Sequence, residues 1–163
     1  MTVLPLVKDD LVQLTKPSED FDFETQALNP SQLARDLVDT MYESNGLGLA
    51  ACQVGLPYRV FAMRGSPENL VLFNPKIVQL SSDFIKLEET SLSFPGLIVE
   101  INRPKSLRMR FTGPDGETRT VQYTGMTARI VQHQMDHLDG KLFYNRAPRY
   151  RRDQAFKNRG KAQ

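Results

Sequence analysis

The segment from Gln132 to Gly140 holds the only two histidines of the chain and restricts the fold more than any other stretch. His133 and His137 are four residues apart, so on a helix both rings project from one face and can bind one metal ion. The residue after the first histidine, where helical metallohydrolase motifs carry a glutamate as general base, is Gln134. An amide takes no proton at neutral pH. The segment therefore predicts a helical metal site with an impaired proton-transfer group.

Two amphipathic helices are predicted. The histidine helix follows the turn at Gly125, with Thr127 as its cap, and ends at Gly140. The other helix precedes Asn45-Gly46, two residues that tolerate a left-handed backbone. The apolar repeats are Leu33, Leu37 and Met41 in the N-terminal helix, and Ile130, Val131 and Leu138 in the histidine helix. Residues 1–29 lack such a period and are expected to form an extended lead-in packed on the body.

Short strands fill the region between the two helices. Breakers such as Asn74-Pro75 separate them, and the turn at 113–116 between two alternating segments predicts a hairpin. The predicted strands are 59–63, 70–73, 76–79, 84–87, 97–101, 107–111 and 118–123. No repeat or linker divides the chain. The sequence therefore predicts an α+β domain, in which short antiparallel or mixed sheets pack around the central metal-motif helix, with a second helix near the N-terminus.

The composition is typical of a folded protein in a reducing compartment. At 163 residues the chain suits one domain, and folding should bury roughly 70% of the surface of the unfolded chain. No apolar run is long enough to cross a bilayer, and Met1 to Pro5 lacks a signal or transit pattern. The single Cys52 cannot form an internal disulfide. A cytoplasmic protein without a membrane partner is expected.

The segment from Gly46 to Gly55 is small and apolar, with one polar side chain, Gln53. Its glycines and alanines let another main chain or a ligand approach closely, as the edge of a peptide-binding strand requires. A tight turn with a packed strand explains the same residue types. The residue types alone leave both interpretations open.

The two histidines need a third metal ligand from elsewhere in the chain. Cys52 is the only thiol, although its small apolar neighbours favour a buried structural cysteine. Oxygen ligands are available in the polar segment from Glu88 to Ser93. Composition does not choose among these candidates.

Three motifs in order resemble those of the peptide deformylase family. Gly46 to Gln53 is a full match to Gly-x-Gly-Leu-Ala-Ala-x-Gln. Glu89 to Ser93 reads Glu-Thr-Ser-Leu-Ser where the family has Glu-Gly-Cys-Leu-Ser, and Gln132 to Leu138 matches Gln-His-Glu-x-Asp-His-Leu except at Gln134. The resemblance extends from about Val7 through Phe143 and implies the family's fold.

The family removes the formyl group from the N-terminal formyl-methionine of new chains with a divalent metal, usually iron. The resemblance places the metal at His133, His137 and Ser91, which occupies the position of the family's cysteine ligand. Fe²⁺ is the expected metal, with Zn²⁺ or Ni²⁺ as alternatives. Gln53 and the backbone N–H of Leu92 match the groups that polarise the formyl oxygen.

The resemblance also implies a peptide groove and supporting residues. Leu47 and Gly48 are expected to pair with the substrate backbone like an added strand. Asp136 lies between the two histidines, and Arg103 is expected to pair with it and so to hold the site in place. Thr90 is expected beside the reacting group. The candidates for the pocket of the methionine side chain, each of which fits plain core equally well, are Leu92, Phe94, Leu97 and Ile130.

Two departures from the family motifs affect groups that the reaction needs, the third metal ligand and the general base. A serine hydroxyl is a weaker, normally protonated ligand than a thiolate, so Ser91 makes metal occupancy uncertain. Gln134 stands at the general-base position and cannot relay a proton, so turnover should fall by orders of magnitude. Thr90 replaces the family's glycine, a milder change because the backbone carbonyl remains. Because both critical changes are nearly isosteric, we expect an inactivated deformylase, with a natural formyl-peptide or nascent-chain binding relative as the alternative.

The charge distribution divides the chain into residues 1–145 and a basic tail, residues 146–163. Seven basic residues and one acid give the tail +6, and the net charge of +2 leaves −4 on the remainder. A disordered end, an electrostatic contact with ribosomal RNA, and a short helix packed through Tyr150 and Phe156 all fit this pattern. The expected partners are formyl-methionine peptides and the ribosome. No DNA partner is expected, and the chain is expected to be a monomer.

Overall fold

The histidine helix packs against a five-stranded antiparallel sheet and contacts a separate β-ribbon through its other side chains. The structure is a computed structural model that describes residues 1–25 and 28–162. The helices are α1 Leu11–Leu14, α2 Pro30–Glu43, α3 Gly125–Leu138 and α4 Arg149–Ala162, with 3-10 turns at Ala51–Val54 and Phe143–Arg146. The strands are β1 Gly48–Ala50, β2 Val60–Met63, β3 Leu70–Leu80, β4 Phe84–Ser91, β5 Phe94–Pro104, β6 Ser106–Thr112 and β7 Thr118–Thr124. The predicted α+β class is confirmed.

Both predicted helices are present. The side chain of Asn29 caps α2 by accepting a hydrogen bond of 3.0 Å from the backbone N–H of Gln32, and the apolar repeat of this helix is buried. The cap of α3 was placed wrongly, because Thr124 and not Thr127 precedes its first turn. Strand β7 runs directly into the helix at Gly125, whose φ of +64° makes the bend that glycine tolerates best.

The five-stranded sheet has the order β1-β2-β3-β6-β7. The predicted strands 70–73 and 76–79 form one strand, β3, because Asn74-Pro75 makes a bulge inside it and does not end it. The side chain of Asn74 forms hydrogen bonds of 2.7 and 2.9 Å with the backbone N–H and C=O of Phe21. This contact fixes the lead-in to the sheet.

Strands β4 and β5 pair with each other in the separate ribbon. They extend well beyond the predicted segments 84–87 and 97–101 and meet at a tight turn where Ser91 pairs with Phe94. Consecutive side chains of a strand point to opposite faces, so Glu89 and Ser91 lie on the same face of β4. Both are buried, and that face of the ribbon is turned towards α3.

The terminal segments pack on this framework. The lead-in contains one short helix, α1, in a segment for which no helix was predicted, and Asp10 caps it. At the other end, α4 packs on β5, with Ala155 buried and Phe156 in edge contact with the ring of Tyr144 at 5.1 Å. Among the residues described, none of the helices is long and apolar enough to cross a membrane.

Candidate active site

A cleft of about 770 Å³ opens between α3, the segment leading into β1, and the turn that joins β4 to β5. The candidate substrate-binding residues that line it are Leu47, Gly48, Thr90, Leu92 and Ile130, and beside them lie Gln53, Ser91, His133 and Gln134. Leu6, Ile98 and Met126 also line the cleft, and no sequence motif pointed to them. The cleft therefore combines apolar walls with a small number of buried polar groups, which is typical of a ligand site.

Phe94 and Leu97, two candidates for the methionine pocket, are not among the residues that line the cleft. Both side chains are buried in a separate apolar cluster with Phe143. Pro95, Gly96 and Ile98 line the cleft in their place. Phe94 and Leu97 are both buried although they are three residues apart, because the pairing of β4 with β5 shifts register between Glu89 and Ser91.

The two histidines lie together with their ring centroids 5.1 Å apart. The Nδ1 atom of His133 is 2.8 Å from a carboxylate oxygen of Glu89, which leaves Nε2 as the free ligand atom of that ring. The Nε2 atom of His137 is 3.1 Å from the hydroxyl of Ser91. Burial, followed by repulsion from His133 and Arg103, holds the pKa of His137 well below its ordinary value. A neutral imidazole is the form that binds a metal.

Glu89 is the centre of a buried charge network that the sequence did not predict. Its carboxylate accepts hydrogen bonds from Arg103 at 2.9 Å, from Arg129 at 2.6 Å and from the ring of His133. Burial alone would raise the pKa of Glu89, but the bonds from His133 and Arg103 outweigh it and lower that pKa to about 2. A charged Glu89 therefore orients His133. The sequence signal that could have indicated this role is the i, i+2 spacing of Glu89 and Ser91, which places both side chains on one face of a strand.

The expected contact between Arg103 and Asp136 is present, with 2.9 Å between guanidinium and carboxylate. Asp136 also accepts hydrogen bonds of 2.6 and 3.1 Å from Arg146, which no motif had singled out. An ion-paired chain thus runs from Arg146 near the surface through Asp136, Arg103 and Glu89 to the ring of His133.

The side chain of Gln53 is held on both sides of its amide group. Its oxygen accepts a hydrogen bond of 2.9 Å from the backbone N–H of Ala50, and its nitrogen lies 3.1 Å from the hydroxyl of Ser93 and 3.4 Å from that of Ser91. The amide N–H groups are thereby directed towards the turn that carries Ser91 and Leu92. A fixed donor at this position suits a carbonyl oxygen that enters the cleft.

Gln134 is buried, with 5% of its surface exposed, and lines the cleft. Its amide oxygen has no hydrogen-bond partner within the part of the chain that the structure describes. Its amide nitrogen lies against Gly48, where an added Cβ atom would come within 2.7 Å of it. Because a buried acceptor without a donor is costly, Gln134 is ready to accept a hydrogen bond from a ligand.

Cys52 is not at the metal position. Its thiol lies 3.4 Å from the backbone oxygen of His137 and packs in the core between the sheet and α3. Burial raises the pKa of this thiol to about 11. The alternative of a thiolate ligand from Cys52 is therefore set aside.

Comparison with known proteins agrees with this geometry. The family model for polypeptide deformylase matches residues 3–153. The chain belongs to the peptide deformylase family. A peptide deformylase of Agrobacterium fabrum (strain C58 / ATCC 33970) is 38% identical over 99% of this chain and 97% of its own length.

Solved deformylase structures share the fold. A plant peptide deformylase, PDF1B, superposes with a TM-score of 0.90 at 30% identity, covering 99% of this chain and 90% of its own. A peptide deformylase of Synechococcus elongatus in complex with actinonin superposes with a TM-score of 0.86 at 32% identity, covering 96% and 86%. A peptide deformylase of Acinetobacter baumannii with bound Met-Ala-Ser superposes with a TM-score of 0.82 at 32% identity, covering 90% and 99%.

Deformylases are metal-dependent hydrolases, and the chemistry of the donor set decides how well this site fits the ion. Two imidazole rings and the hydroxyl of Ser91 lie close together, which suits a divalent ion in position, but none of the three side chains can supply a negative charge as a thiolate does. Across the described residues, no group of three histidine, cysteine, aspartate or glutamate side chains forms a metal site. The residues thus fit a metal that is held mainly by His133 and His137.

Proposed function

We propose that this chain binds N-formylmethionyl peptides in the deformylase cleft and hydrolyses them extremely slowly or not at all. The observation that carries the proposal is Gln134, a buried amide at the general-base position whose oxygen has no hydrogen-bond donor among the residues that the structure describes. The cleft around it keeps the parts needed for binding. The replacements that bear on the chemistry are Ser91, at the position of the charged metal ligand, and Gln134, at the position of the group that moves a proton.

The open edge of the sheet supports binding of an extended peptide. Strand β1 is the first strand of the sheet order and pairs only with β2 among the described strands. The carbonyl of Leu47 accepts a hydrogen bond of 3.0 Å from the backbone N–H of Arg64, so alternation directs the backbone groups of Gly48 to the free edge. A peptide strand added there would run along the cleft.

The formyl end would be read by three groups. The amide nitrogen of Gln53 and the backbone N–H of Leu92 would donate to the formyl oxygen, and the free amide oxygen of Gln134 would accept the N–H of the formamide. This arrangement satisfies the buried oxygen of Gln134 with a neutral ligand.

A metal would be held by His133 and His137, with Ser91 beside it, and we propose Fe²⁺, with Zn²⁺ or Ni²⁺ as alternatives. When bound, such an ion would act as a Lewis acid towards the formyl group. Hydrolysis also needs a group that accepts a proton. Glu89 is the nearest buried carboxylate, but its two oxygens are occupied by Arg103, Arg129 and His133, and its low pKa makes it a weak base.

The basic tail, residues 146–163, carries a second part of the proposal. We propose that residues 1–145 hold the peptide-binding site and that the tail gives electrostatic contact with ribosomal RNA. The charged side chain of Arg149 is largely exposed on α4, which leaves it accessible to a polyanion. We further propose that the chain acts as a cytoplasmic monomer.

Reversion of the two departures tests the proposal. Calorimetric titration of the metal-loaded protein with formyl-Met-Ala-Ser should show saturable binding, and formate release should be undetectable. The double variant Ser91→Cys, Gln134→Glu should gain turnover by several orders of magnitude, because it restores the charged ligand and the base. A double variant that binds metal and peptide but stays inactive would contradict an inactivated deformylase. It would instead favour a natural binding relative with further changes.

A further inference from the structure

The outer wall of the cleft is built partly by an N-terminal strap, residues 6–9. The backbone N–H groups of Val7 and Asp9 donate to the carbonyls of Gln53 and Ser93, at 2.7 and 2.9 Å. The alternate strap residues, Leu6 and Lys8, line the cleft. The strap is therefore attached through the residues next to the proposed formyl-binding groups.

One side chain of α4 fastens this strap to the other wall. Arg159 donates a hydrogen bond of 2.9 Å to the carboxylate of Asp9 and one of 3.0 Å to the carbonyl of Pro95. Pro95 follows the turn between β4 and β5 and lines the cleft itself. With only 14% of its side chain exposed, Arg159 bridges two segments that have no sequence proximity.

The attachment stabilises an unfavourable backbone conformation in the strap. Asp9 has a φ of +55°, a left-handed conformation that is uncommon for residues other than glycine. Such a conformation persists when surrounding contacts hold it. Here the contacts are the backbone bond to Ser93 and the ion pair with Arg159.

We infer that Arg159 is a positioning residue that holds the strap against the turn after β4 and thereby sets the affinity of the cleft for peptide residues beyond the formyl-methionine. The inference rests on the proposed function for its ligand, although the latch itself is a property of the free protein. A planar guanidinium can bond to Asp9 and Pro95 at once, whereas a lysine can reach only one of them well. Through Arg159 the basic helix thus supports a wall of the cleft, although it does not line the cleft itself.

Hydrogen exchange of the free protein tests the latch without any ligand. In Arg159→Gln the amides of Val7 and Asp9 should exchange faster, on the order of fivefold, as expected for loss of one partly buried ion pair and its second hydrogen bond. The matched control is Arg151→Gln, which removes the ion pair of α4 with Glu100 and leaves the strap untouched. Equal exchange at Val7 and Asp9 in both variants would overturn the inference.

Peptide length provides the second readout. Arg159→Gln should weaken binding of formyl-Met-Ala-Ser about fivefold and leave binding of formyl-methionine amide unchanged, and Arg159→Lys should restore part of the loss. An equal loss for both ligands would indicate general loosening and contradict a latch. If the unmodified protein binds neither ligand, the proposed function fails, while the exchange experiment still decides the role of Arg159.

Discussion

Replacing Glu89 with glutamine should be the most damaging conservative change in the ribbon. The substitution keeps the shape of the side chain and removes the charge that faces Arg103, Arg129 and His133. All four groups are buried, so Arg103 would keep Asp136 as a counter-charge, whereas Arg129 would lose its ion pair with Glu89. Breaking a buried ion pair on one side typically costs about 3–5 kcal/mol.

The pKa of Glu89 gives a similar magnitude. Folding lowers it from 4.5 to about 2. Each pH unit between these two values corresponds to about 1.4 kcal/mol of unfolding free energy, which adds up to about 3 kcal/mol. A depressed carboxylate pKa stabilises the fold above the unfolded value. This contribution is therefore complete above pH 4.5 and is lost progressively as the pH falls towards 2.

Urea denaturation at several pH values measures both quantities. At pH 7 the Glu89→Gln variant should unfold with a free energy about 3 kcal/mol lower than the parent, a midpoint shift of roughly 1–2 M urea. The difference should shrink as the pH is lowered below 4.5. Glu88→Gln, at the exposed neighbouring position, is the control and should change the free energy by less than about 0.5 kcal/mol. A Glu89→Gln variant as stable as this control at pH 7 would refute the reasoning.

Three further predictions concern other parts of the chain. Gly48→Ala should weaken formyl-peptide binding at least tenfold in a titration, because its Cβ would lie 2.7 Å from the amide nitrogen of Gln134, whereas Gly160→Ala, in open space, should not. Cys52 should react with a maleimide at least a hundredfold more slowly in the native protein than in urea, since burial raises its pKa to about 11; equal rates would contradict this. Truncation after Asn145 should abolish co-sedimentation with ribosomes at low salt, and unchanged sedimentation would reject the RNA contact.

Regular periodicity explains what could be predicted from the sequence. The apolar repeat of α2 and the i, i+4 histidines of α3 each indicate one face of a helix. The alternation of apolar and polar residues on either side of the 113–116 turn indicates a hairpin. The three ordered motifs identified the family, and the resemblance to the family implied that Gln53 lies near Ser91. Local pattern and family resemblance agreed because both describe the same helix and the same edge strand.

Non-local pairing explains what was missed. Glu89 and Arg129 are 40 positions apart, and only the packing of the ribbon against α3 brings them to 2.6 Å. The placement of Phe94 and Leu97 has a related origin, because a register shift between β4 and β5 decides which side chains of β5 are buried, and residue type does not reveal that shift. Arg159 was counted only as part of a basic segment, although its partners are Asp9 and Pro95.

The central claim is that Gln134 leaves a peptide-binding cleft without a proton acceptor. A single-turnover assay tests it most directly: excess protein, with its content of Fe²⁺ or Zn²⁺ measured, is mixed with formyl-Met-Ala-Ser, and bound peptide and free formate are followed together. The account predicts that the peptide becomes bound while formate stays at the level of the protein-free control. Formate release above the protein-free control, at a rate that Gln134→Glu does not raise and Gln134→Leu does not lower, would contradict it.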